Sequence, residues 1–165
     1  MRNKKIVAGL LLFSLVLFSL LSFHKREATE NRQAEIRDLG PQVMPFDLDK
    51  TTHVFQRTDT GGLQQVRVKN LDDKEQITLI QHHLRQETER FAQGDFSDPA
   101  TLHGDNMPGL SVLEKAQGKF TVDYADLPNG GQILYTTSDE EVLEAFHLWF
   151  MAQLQDHGQD AMEHM

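Results

Sequence analysis

Ile6 to Phe23 form an 18-residue run without a charge, set behind three basic residues, Arg2, Lys4 and Lys5. No polar face interrupts the run, so it does not suit the surface of a small domain. It has the layout of an export signal or a signal anchor. As a helix rising about 1.5 Å per residue it would span roughly 27 Å, near the thickness of a hydrocarbon core. It ends Ser19-Leu20-Leu21-Ser22-Phe23-His24-Lys25, with neither the small-residue cleavage site of a signal peptide nor a lipobox cysteine. Residues 1–23 are therefore expected to form an uncleaved transmembrane helix; secretion to the periplasm after cleavage is the alternative. The basic flank would keep the N-terminus in the cytoplasm, making a single-pass protein of a bacterial inner membrane with its C-terminal domain in the periplasm.

Beyond residue 23 lie 142 residues, enough for one domain with its own core. All 25 acidic residues fall there against 13 of the 16 basic ones, a formal charge of −12. That balance excludes a nucleic-acid binder driven by net charge. The chain has no cysteine, which excludes a disulfide scaffold, a cysteine-ligated zinc or iron–sulfur site and a cysteine nucleophile.

Residues 24–50 are rich in Arg, Glu, Asn and Gln and read as a polar stalk and linker, broken at Gly40-Pro41 and again at Pro45. Residues 51–158 carry the domain. Thr51 to Arg57 and Leu63 to Lys69 are β-rich segments around Gly61-Gly62, which predicts a hairpin. Asp72 or Asp73 caps a helix whose apolar stripe is Ile77, Ile80, Leu84 and Phe91, stopped by Gly94. Asp95 to Gly109 has no period beyond a short helical turn at Asp98-Pro99, and Leu110 to Ala116 predicts another short helix. Phe120 to Tyr124 and Ile133 to Thr137 flank Asn129-Gly130-Gly131 as a second hairpin. Ser138 and Glu141 then form a capping box for a helix carrying Val142, Phe146, Trp149, Phe150 and Leu154. This ββαββα order predicts an α+β domain, one antiparallel four-stranded sheet with its helices packed on one face, followed by a disordered tail over 159–165.

With cysteine absent, eight His and six Met are the chemical inventory. Neutral imidazole is the commonest nitrogen ligand of transition metals, and a thioether favours copper. His103 and Met107 stand four residues apart in the least regular stretch, and His147 and Met151 repeat that spacing one helical turn apart. Asp156-His157 follows at the helix end, where a carboxylate beside an imidazole orients it. His83 lies on the other long helix, and His53 in the first strand reads as an ordinary cross-strand residue. His103, Met107, His147, Met151, His157 and His83 are thus the candidate metal ligands, for copper or for zinc. No Walker loop, G-x-S-x-G elbow or HExxH motif is present, so no catalytic residue is assigned.

The Thr-Thr-His-Val-Phe opening at 51–55, Gly94-Asp-Phe-Ser-Asp-Pro-Ala100, His103-Gly-Asp-Asn-Met-Pro-Gly109, Tyr124-Ala-Asp-Leu-Pro128 and the Trp149 to Gly158 ending resemble a small uncharacterised family of bacterial envelope proteins, often labelled aspartate carbamoyltransferase. The Ser-Thr-Arg-Thr and His-Pro-x-Gln stretches of that transferase's catalytic chain are absent, as are the four zinc-binding cysteines of its regulatory chain. The resemblance covers most of 51–158 and transfers no site residue. The sequence expectation is a membrane-anchored periplasmic domain that binds a transition metal, copper foremost. The alternative is a metal-free accessory or interaction module docking on an envelope protein partner. Residues 6–23 would contact the membrane in either case, and nucleic acid is not a partner.

Overall fold

A computed structural model of the chain describes residues 22–163. Both hairpins form. β1 (Thr51–Thr58) pairs antiparallel with β2 (Gly61–Val68), and β3 (Phe120–Leu127) pairs antiparallel with β4 (Gly130–Thr137). β2 and β4 join the hairpins antiparallel at the centre. The registers put His53, Val66 and Gly131 in one row and Phe55, Gln64, Ile133 and Tyr124 in the next. A third row holds Gly62, Tyr135 and Val122. Strand side chains alternate between faces, so these rows define the face that carries the core.

Two helices of 18 residues pack on that face, α2 (Lys74–Phe91) and α5 (Glu140–His157). The Asp73 carboxylate opens α2 by accepting from the backbone N–H of Gln76, and Ile77, Ile80, Leu84 and Phe91 turn inward as their spacing requires. α5 is capped by Asp139, which accepts from the N–H groups of Glu141 and Val142, rather than by the expected Ser138. Tyr135, fully buried, meets Phe91 of α2 and Phe146, Trp149 and Phe150 of α5 at centroid separations of 5.0–6.3 Å. Between the hairpins lie α3 (Ser97–His103) and the single turn α4 (Leu110–Leu113).

The expected four-stranded antiparallel sheet is corrected to five strands of mixed direction. The order is β3-β4-β2-β1-β5, and β5 (Ala161–Glu163) runs parallel to β1. Beyond α5, Gly158 takes a φ of +55° and a 3-10 turn over Gly158–Asp160 brings the chain back beside His53, Val54 and Phe55. Thus 161–163, expected to be tail, cover the edge of β1. Three residues are too few to show a period, and what holds them is remote: Arg57 pairs with Glu163 at 2.7 Å, and Arg37 with the buried Asp160 at 2.8 Å.

Residues 22–39 form a helix, α1, followed by a 3-10 turn at Gly40–Gln42 where the breaker lies. The expected stalk is not free of the domain. Arg32 donates to Asp156 Oδ2 at 3.0 Å and Gln33 to the Gln155 carbonyl at 3.1 Å, while Ile36, Met44, Phe46 and Leu48 are buried in the core. Among the described residues no helix is long and apolar enough to cross a membrane, which removes a membrane span from the observed fold. The apolar run itself lies outside the described residues except for its last two positions.

Gly109 controls how closely α4 approaches α5. Its φ is +81°, and a Cβ there would lie 2.1 Å from the Ala145 carbonyl oxygen. Gly109→Ala is therefore expected to lower unfolding stability by about 2–3 kcal/mol, from backbone strain plus a clash that no rotamer relieves, as measured by urea denaturation.

Candidate ligand cavity

α2, α3 and α5 converge with the inner face of β1 and β2 around a small cavity of about 50 Å3. The strands contribute His53, Phe55, Gln64 and Val66. One face of α2 supplies His83, Glu87 and Phe91 at steps of four, and α5 supplies Trp149, Gln153 and His157 at the same step. α3 adds Asp98, Leu102 and His103, and the segment after α1 closes the roof with Val43, Met44 and Phe46. A shallower pocket of about 340 Å3 shares Val43, Met44, His83, Glu87 and Asp98 with it, so these five residues form the threshold between cavity and solvent.

Three histidine rings meet at the inner end. His53 and His157 stack with centroids 4.7 Å apart and planes 17° apart, and His103 meets His157 edge-on at 5.2 Å. The His103 Nδ1–H donates to Asp156 Oδ2 at 2.8 Å. Asp156 also accepts from Arg32. Burial works against the Asp156 carboxylate, yet the hydrogen bonds from His103 and Arg32 outweigh it and hold the group below its usual range. The carboxylate next to His157 in sequence therefore orients His103. His83 stands nearer the threshold, edge-on to Phe46 at 5.6 Å.

Several of the buried polar groups that line the cavity are held neutral. Burial, helped by His83 and His103, pushes His53 down to about 3, and burial also holds His157 well below its ordinary value. Burial lowers His83 to about 4, a fall that Asp98 opposes and Arg90 assists. Burial together with Asp98 raises Glu87 to about 8 against the opposing pull of Arg90. Arg90 gathers the acids at the threshold, reaching Glu87 at 3.0 Å, Asp95 at 2.9 Å and Asp98 at 2.5 Å. With Ser97 it holds Asp95 near 2.

An unmet buried group costs about 1–3 kcal/mol, and three of them, His53 Nδ1, Trp149 Nε1 and Gln153 Oε1, belong to residues that line this one cavity.

Of the six residues expected to bind metal, the fold brings His103, His157 and His83 to the cavity and separates the others. His147 donates from Nε2 to the carbonyls of Thr58 and Gly61 at 2.9 and 3.2 Å, fastening α5 to the β1–β2 turn. Met151 is half exposed, with Arg57 Nη1 3.5 Å from its sulfur. Met107 is buried in the core and lines a surface pocket behind His103. Among the described residues no group of three or more His, Asp or Glu is arranged to hold a metal ion. The stack explains why the imidazoles do not converge. A metal sits about 2 Å from its nitrogen along the in-plane lone pair, and parallel stacked rings aim those lone pairs along separate planes.

The sequence reading missed His53, Glu87, Trp149 and Gln153 as site residues. For two of them a signal was available: Glu87 and Gln153 fall at positions in phase with the buried apolar stripes of their helices, where a polar side chain has no packing reason to be. Compared with protein-family models, curated proteins and solved structures, the chain matches none.

The buried titrating groups set opposite pH limbs. Between pH 6.5 and about 4 the unfolded chain binds protons that His53 and His83 refuse in the fold, so stability falls as pH drops through that window. Glu87 keeps in the fold a proton that the unfolded chain releases above pH 4.5, so its contribution falls as pH rises from there to about 8. Urea midpoints from pH 4 to 9 should show His53→Phe flattening the acid limb and Glu87→Gln the alkaline one. An acid limb unchanged in His53→Phe would show that this ring does not enter the fold neutral.

Proposed function

We propose that this chain is an exported ligand-binding module, and that a small polar molecule occupies the cavity between His53, Glu87, Trp149 and Gln153. The observation that carries this reading is the set of three unmatched polar atoms on residues that line one cavity. Gln153 Oε1 can only accept and the indole N–H of Trp149 can only donate, while His53 Nδ1 does either according to its tautomer. The fitting ligand therefore offers both a donor and an acceptor. At roughly 10–15 Å3 per enclosed water, the cavity of about 50 Å3 takes four or five non-hydrogen atoms, with room for extension into the outer pocket. An export route rests on the basic-then-apolar pattern of residues 1–23 and agrees with a domain that uses no cysteine.

Transition-metal binding is the second reading, favoured by the His103–Asp156 pair. A carboxylate that fixes the imidazole tautomer is the usual outer partner of a metal-bound histidine, and the neighbouring His53 and His157 rings need lose no proton to become ligands. His157 would have to turn out of its stack on His53.

Trp149 is the chain's one tryptophan, which makes its indole N–H a single resonance inside the cavity. Acetamide, which carries a donor and an acceptor on four non-hydrogen atoms, is expected to shift that resonance saturably in the full-length protein, and Gln153→Leu to abolish the shift. Cu(I) and Zn(II) titrations form the second arm, in which loss of binding in His103→Ala supports the metal reading. No saturable shift with acetamide, together with no metal binding that depends on His103, overturns both.

A further inference from the structure

The threshold narrows the class of ligand. Glu87, Asp95 and Asp98 surround one guanidinium, Arg90, at 2.5–3.0 Å. Three carboxyl groups share a single cation, and Glu87 and Asp98 are the two that also line the cavity. The Glu87 side chain is 6% exposed, so water does little to screen it from Asp98. What relieves the pair is the proton on Glu87, held there by burial and by Asp98. A proton is the smallest positive charge that can serve; an ammonium group brought into the cavity serves as well and adds donors. His83 cannot take that role, because burial keeps its ring neutral, and the Tyr135 hydroxyl donates to Gln64 at 2.8 Å.

The interior supports the same conclusion by a separate route. His53, Trp149 and Gln153 are each more than nine-tenths buried and leave unmatched polar atoms at the cavity. Phe46, Phe55, Phe91 and Trp149 supply aromatic walls, which attract an organic cation through their ring faces. We propose that the cavity is a receptor for a small organic ammonium compound carrying a hydroxyl or carbonyl group, its nitrogen against the carboxyl groups of Glu87 and Asp98 and its oxygen facing the indole N–H of Trp149. This rests on the ligand-binding reading above and specifies its chemistry. Binding exchanges one positive charge for another: the ammonium enters with all its protons, Glu87 releases its proton to the solvent, and the resulting carboxylate pairs with the ligand nitrogen.

The test compares 3-aminopropanol with 1,3-propanediol, equal in non-hydrogen atoms and different in charge, each titrated into the full-length protein while the Trp149 indole resonance is followed. The amine is expected to bind at least tenfold tighter at pH 8. Its affinity should rise nearly tenfold per unit from pH 6 towards pH 8 and then level, since one proton leaves for each ligand bound. Glu87→Gln is expected to abolish that rise, and Asp98→Asn, a milder change at a more exposed residue, to cut the preference for the amine several-fold while the diol binds as before. If acetamide shifts Trp149 but the amine gains nothing over the diol, or gains equally at every pH, the ammonium assignment falls and the ligand cavity stands. If neither these probes nor acetamide moves the resonance, both fall.

Discussion

Asp156 fastens three elements that otherwise have little reason to stay together. It lies near the end of α5, accepts a hydrogen bond from the His103 ring N–H at the end of α3, and accepts two more from Arg32 of α1. Arg32 in turn donates to the His103 backbone carbonyl at 2.8 Å, so the three residues close a triangle. The Asp156 side chain is 15% exposed and that of His103 1%, which places these bonds where water competes poorly for them. Remove the carboxylate and the His103 ring loses the bond that sets its tautomer, while the roof segment beyond α1 loses its nearest anchor.

Around that anchor the fold keeps polar side chains buried at the cost of their charge. Two of the three clustered imidazoles, and His83 at the threshold, stay neutral because the sheet and the aromatic residues of α2 and α5 exclude water, and Glu87 stays protonated for the same reason. Such groups weaken a core unless their hydrogen bonds are completed, and here they are completed only in part. Under the proposed ligand-binding reading, the same atoms would give a ligand its points of recognition.

The elements were legible because their periods are strong. Alternation marked β2 and β3, β-rich composition and the glycine turns marked their partners, and the stripe from Ile77 to Phe91 marked α2. β5 was not legible: a three-residue strand has no period, and its place depends on pairing with residues about 108 positions earlier. The docking of residues 24–50 was hidden in the same way, because Arg32, Gln33 and Arg37 look like solvated surface until their partners, more than 120 residues away, are known. At the site the residue types were legible and the direction of each side chain was not. His147 and Met151 share a helix face with correct ligand spacing, yet that face meets the β1–β2 turn and Arg57. His53 read as an ordinary strand residue because nothing local shows that its strand face is roofed by the end of α5.

The described part of α1 runs over 18 residues, about 27 Å. Its first ten residues, 22–31, are exposed apart from Thr29, whereas its last two turns carry Arg32, Ile36 and Arg37 onto the domain and lead straight into the Val43, Met44 and Phe46 roof. In mechanical terms this is a lever with its fulcrum at Arg32 and Asp156. A sideways load on the described start of α1 would be delivered as torque to the cover of the cavity.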